Sequence, residues 1–199
     1  MRELTGYQTD ALKELINIGV GRAASLLNEM IGSQILLNVP FIEVLTALTL
    51  QQELVKRFRD EQLAIVRLGF TGSLHGSAEL LFPTESASSL VAVLTGEELG
   101  SPDLDAVKIG TLSEVGNILI NGVMGSISNV LEQHMNYTLP IYLEDSIENL
   151  ILVGNPEESA ILLGQANFTI EQLEIIGDII LIFEVQTFDT LISAIENFN

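Results

Sequence analysis

The chain repeats itself, and no other feature of its sequence restricts the possible folds as strongly. At an offset of 100 residues "LKELINI" (12 to 18) lies over "LSEVGNI" (112 to 118), matching Leu12 with Leu112, Glu14 with Glu114, Asn17 with Asn117 and Ile18 with Ile118. The same offset carries Pro40 onto Pro140. At an offset of 101, "GSAELLFPTESASSLVAVL" (76 to 94) lies over "GDIILIFEVQTFDTLISAI" (177 to 195), with Gly76 on Gly177, Phe82 on Phe183 and Leu90 on Leu191. Two blocks at nearly one offset point to a duplication.

Both halves read alike. A long helix is expected over about 6 to 31, opened by Thr5 with Gln8 three residues later as a capping box, and another over about 102 to 134, opened by Ser101 with Pro102 at the first helical position. Internal glycines in "GVGRAAS" and "GVMGSIS" suggest close helix packing or a kink. Strand candidates follow: "QILLNVPFIEVL", "QLAIVRLGF" and "GSAELLF", then "YTLPIYLE", "NLILVG", "ESAILLGQANFT" and "IIGDIILIFEV". Pro40 and Pro140 fall inside the strand after each long helix, which predicts an edge position or a bulge. Each half closes on a helix, about 85 to 96 and 187 to 198, and "LTLQQELVKRF" (48 to 58) adds one without a clear counterpart. Its basic end, Lys56, Arg57 and Arg59, reads as a solvated helix end or a docking site. Neither half can bury both faces of its elements alone. The expectation is therefore an α+β fold spanning residues 1 to 199, internally duplicated as about 5–98 and 101–199. It would have a pseudo-two-fold axis and one shared antiparallel sheet under the two long helices.

Composition narrows the function. There is no cysteine, so disulfides, thiolate chemistry and cysteine metal sites are excluded. His75 and His134 stand in no metal-ligand spacing. With 27 acidic against 8 basic residues and a net charge of −19, the surface repels phosphate backbones and anionic lipid, so neither nucleic acid nor membrane is an expected partner. No apolar run reaches the length of a membrane span, and the first residues lack the apolar core of a signal peptide, which predicts a cytoplasmic protein. No G-x-G-x-x-G spacing marks a nucleotide site.

The polar stripe of "DALKELINIG" (10 to 19) remains to be explained. Glu14 and Asn17, three apart, share a helix face with Asp10 one turn earlier. Taken singly, the stripe is the solvated edge of an amphipathic helix. Its return as Glu114 and Asn117 argues for a shared task, either chemical or in helix packing, because mid-helix asparagine is a mediocre helix former. At the first position of the second copy stands Gly110, and Asn121 adds a polar group where the first copy has Gly21.

D-x-x-x-E-x-x-N followed after 22 intervening residues by proline, here Asp10, Glu14, Asn17 and Pro40, resembles the signature of the CheC/CheX/FliY phosphatases of chemotaxis, and two copies in one chain look most like CheC. The second copy keeps Glu114, Asn117 and Pro140 but has Gly110 where the family has Asp or Ser. The resemblance implies hydrolysis of the aspartyl phosphate of a CheY-type response regulator, with Asn17 and Asn117 orienting the in-line water and Glu14 and Glu114 contacting the regulator's lysine. It implies no cofactor of the chain's own, the Mg²⁺ being supplied by the regulator. CheD is a further partner that the family carries. The alternative is a FliM-like or CheD-binding scaffold that hydrolyses nothing.

Overall fold

The computed structural model describes residues 4–31, 34–58, 61–97, 105–132, 134–147, 159–170 and 173–197. Helix α1 (Gly6–Ile31) is followed by β1 (Ile35–Asn38), β2 (Ile42–Leu45), α2 (Ala47–Phe58), β3 (Leu63–Gly72), β4 (Gly76–Pro83) and α3 (Thr84–Thr95). The second half runs α4 (Ala106–Leu131), β5 (Met135–Tyr137), β6 (Ile141–Asp145), β7 (Ser159–Ile170), β8 (Leu173–Glu184) and α5 (Val185–Asn197). The capping box forms as expected: Thr5 N–H donates to Gln8 Oε1 at 2.8 Å and Gln8 N–H to Thr5 Oγ1 at 3.3 Å. Gln8 Nε2 then reaches Glu196 Oε1 at 2.6 Å, tying α1 to α5.

Two boundaries differ from expectation. Helix α4 begins at Ala106 rather than near 102, because the Asp105 carboxylate accepts from Val107 N–H and Lys108 N–H and caps the helix there; Ser101 and Pro102 lie outside the described residues. The strand containing each proline is also broken in two, β1 from β2 and β5 from β6, since proline offers no N–H to a ladder. The expected edge position stands, because β1 and β2 both pair with β7 while β5 and β6 both pair with β3. The candidate strand "NLILVG" falls outside the described residues.

The sheet is antiparallel in order β1-β7-β8-β4-β3-β5, with β2 also on β7 and β6 also on β3. Each half thus lends its broken edge strand to the long strand of the other. At the centre Glu79 opposes Ile180, its own counterpart at the 101-residue offset, so the β4–β8 ladder maps onto itself. The paired glycines make room for the paired rings: a Cβ on Gly177 would strike the Phe82 ring, and one on Gly76 would lie 2.8 Å from Phe70 Cζ. Phe70 stacks on Phe183 and Phe82 on Phe168, with ring centroids 5.5 and 5.4 Å apart.

Both faces of the sheet are covered. The four helices α1, α3, α4 and α5 bury Ala64, Val66, Leu68, Leu80, Phe82, Leu162, Phe168, Leu181 and Phe183 on one face. Helix α2 lays Leu50, Leu54 and Phe58 on Leu63, Ile65, Leu81, Ile161, Leu163 and Ile180 on the other. Burial on both sides explains why "LAIV" and "AILL" run apolar without alternation. Among the described residues no helix is long and apolar enough to cross a membrane.

Two ion pairs are sunk in the α2 face. Arg67 Nε donates to Glu79 Oε1 and Arg57 Nη1 to Asp178 Oδ1, each at 2.7 Å, with the carboxylates only 1% and 2% exposed. Arg57 also lies over the Phe41 ring, so it belongs to the fold rather than to a free basic cluster. Burial raises the Asp178 carboxyl to about 6 despite Arg57, and raises Glu79 in the same sense. A carboxyl with a folded-state pKa above its unfolded one takes up a proton on folding. The cost of keeping Asp178 charged is thus fully present above pH 6 and is relieved as the pH falls towards 4. The expected result is a rise in thermal midpoint between pH 7 and pH 5 that is smaller in Asp178→Asn, measured by calorimetry. Equal rises would show that Asp178 does not contribute.

Candidate active site on the two long helices

Helices α1 and α4 cross antiparallel, as the cross-helix contacts require: Ser126 Oγ lies 2.7 Å from Leu15 O, and Gly19 faces Gly122. The Gly19–Gly122 approach is backbone on backbone, since a Cβ on Gly19 would stand 2.5 Å from Gly122 O and one on Gly122 would stand 2.6 Å from Gly19 O. Close packing, not a kink, accounts for these glycines. At this register Asn17 and Asn117 stand about 10 Å apart along the helix axes at about 1.5 Å rise per residue.

On α1, Asp10 and Glu14 are exposed and Asn17 is half-buried. Asp10 does not cap the helix, a task that Thr5 and Gln8 perform. The Asn17 carboxamide is fully engaged: Oδ1 accepts from Val39 N–H at 2.8 Å, while Nδ2 donates to Val39 O at 2.9 Å and to Lys13 O at 3.0 Å. Val39 is the residue before Pro40, at the break between β1 and β2. There the interrupted strand leaves a backbone N–H and C=O that the sheet no longer uses, and Asn17 satisfies both. The regular spacing from asparagine to proline thus has a structural reason in the first copy.

The second copy is built differently. Glu114 is exposed and Asn117 half-buried, as in the first. The counterpart of Val39 is Leu139, which is 84% exposed, whereas Val39 is 1% exposed. Asn117 Oδ1 accepts instead from Asn121 Nδ2 at 2.8 Å. Gly110 leaves α4 unbroken, because Asp105 secures its start. On either side of Pro140, Leu139 and Ile141 present exposed apolar surface, a feature that sequence reasoning missed. The Asn17–Val39 bonds were missed too; their only signal was the spacing of each asparagine from its proline. Among the described residues no cluster of three or more acidic or histidine side chains could hold a metal ion.

What this arrangement can do chemically is limited and specific. It sets an exposed carboxylate one helical turn from a half-buried carboxamide on a helix, twice.

No family model matches the chain. It is 28% identical over 163 residues to the CheY-P phosphatase CheC of Bacillus subtilis, covering 77% of this chain and 74% of that protein. The X-ray structure of Thermotoga maritima FliY has the same fold, with a TM-score of 0.80 at 18% identity over 100% of both chains. The chain is thus similar in sequence to CheC and shares its fold with FliY. The fold of this CheC-like chain is also that of the FliM middle domain from H. pylori, with a TM-score of 0.71 at 10% identity over 96% of this chain and 99% of that one.

Proposed function

We propose that the chain hydrolyses the aspartyl phosphate of a CheY-type response regulator. The observation that carries the reading is the twofold presentation of an exposed Glu with a neighbouring Asn, Glu14 with Asn17 and Glu114 with Asn117, in a chain similar to a CheY-P phosphatase. An acyl phosphate needs little covalent help. Water oxygen attacks phosphorus in line, the bond from phosphorus to the aspartyl oxygen breaks, and the carboxylate leaves with the electron pair while phosphate is released. Positioning that water is work a carboxamide can do. Asn17 and Asn117 are the water-orienting residues, and Glu14 and Glu114 anchor the regulator's lysine through a charge-assisted bond. The Mg²⁺ that neutralises phosphoryl charge belongs to the regulator.

The two sites are unequal in this account. Asn17 has spent every donor on Lys13 and Val39 and must release backbone groups to act, whereas Asn117 keeps its Nδ2 protons for an incoming ligand. The second site carries most of the turnover. The lifetime of the phosphorylated regulator, followed by release of inorganic phosphate, tests the reading: the wild-type chain shortens it catalytically at substoichiometric amounts.

The occupied Asn17 amide favours a second reading, in which the chain binds partners without hydrolysis. A FliG–FliM complex from H. pylori holds a chain of the same fold. Under that reading the chain binds the regulator and leaves its phosphate lifetime unchanged.

A further inference from the structure

We propose that Asn121 is the positioning residue of the second site, replacing there the backbone clamp that holds Asn17 in the first. The proposal rests on the phosphatase reading above and assigns a role within it. Three observations support it. The first copy orients its carboxamide through Val39 N–H and C=O, and the exposure of Leu139 removes that support from the second. Asn121, one turn beyond Asn117, supplies the missing bond by donating to Asn117 Oδ1. Asn121 Oδ1, finally, is buried without a hydrogen-bond partner among the described residues.

An unmatched buried acceptor is costly to keep. Position 21 of the first copy is glycine, with nothing within 4 Å of an added Cβ. Exchanging O and N in the two amides preserves one bond between them and still leaves one inward polar atom unmatched. With Oδ1 of Asn117 fixed on one lone pair, its second lone pair and both Nδ2 protons stay free for the attacking water and the phosphoryl oxygens. Asn121 touches neither; it sets the angle of the amide that does.

The experiment is steady-state dephosphorylation of a CheY-type regulator from the same organism, phosphorylated with a small-molecule phosphodonor, in the Asn17→Ala background so that only the second site reports. Adding Asn121→Ala is expected to lower kcat about tenfold with KM within about twofold, as loss of orientation alone should do. Asn121→Gln, which keeps a carboxamide within reach at i+4, recovers much of that loss, and thermal midpoints stay together. An unchanged kcat in the Asn17→Ala/Asn121→Ala chain overturns the assignment, as does an inactive Asn17→Ala parent. So does a loss that follows the thermal midpoint and is not recovered by Gln, since that marks a packing role. A wild-type chain that binds the phosphorylated regulator without hastening its decay instead removes the phosphatase reading itself.

Discussion

Gly19→Leu, at the buried contact of α1 with α4, should cost the fold about 3 kcal/mol or more. The reason is that the obstacle is backbone. A Cβ at position 19 would lie 2.5 Å from both Gly122 O and Val123 Cα, and neither atom can move without displacing α4 from Val66, against which Gly116 is packed. The thermal midpoint should fall by roughly 6 °C or more, using about 2–4 °C per kcal/mol for a chain of this size. Gly21→Ala, two residues away, is the control. Nothing lies within 4 Å of an added Cβ there, so the substitution should stabilise by about 0.5–1 kcal/mol through helix propensity alone. Similar midpoints for the two variants would mean that the helices do not meet as described.

Asn117→Ala should reduce dephosphorylation by the second site on the order of 10²-fold, the loss typical of a preorganised polar group removed from a transition state. Stability should hardly change, because its one described partner, Asn121, sits on the same helix. Asn17→Ala should behave in the opposite way. It leaves the Val39 N–H and C=O at the strand break without their partner, and so costs about 1–3 kcal/mol of stability while removing the smaller share of turnover. Kinetics and calorimetry on the two single variants together reveal whether the copies have diverged in this manner.

Much of this architecture is legible in the sequence because its signals are local. Thr5 and Gln8 set the start of α1, alternating and apolar runs set β3, β4, β7 and β8, and the duplication announces the symmetry before any element is placed. The exchange of edge strands between halves is not legible, since β1 on β7 and β5 on β3 are pairings across more than 60 residues that no local pattern encodes. The start of α4 was obscured by competing caps, Ser101–Pro102 and Asp105. Glu14, Asn17, Glu114 and Asn117 stood out because they recur, but recurrence does not distinguish a chemical task from a structural one. Asn17 performs a structural one at Val39, and Asn117, with the same spacing, does not. The difference arises from where Val39 and Leu139 settle, one buried and one exposed, which the identical spacing to proline conceals.

The decisive measurement is the decay of a ³²P-labelled CheY-type regulator from the same organism in the presence of the wild-type chain and of the Asn17→Ala/Asn117→Ala double variant, with binding of the phosphorylated regulator measured in parallel. The account predicts that the wild type accelerates decay, and that the double variant loses the acceleration while still binding. Acceleration that survives loss of both asparagines would contradict it, as would binding by the wild type without any acceleration.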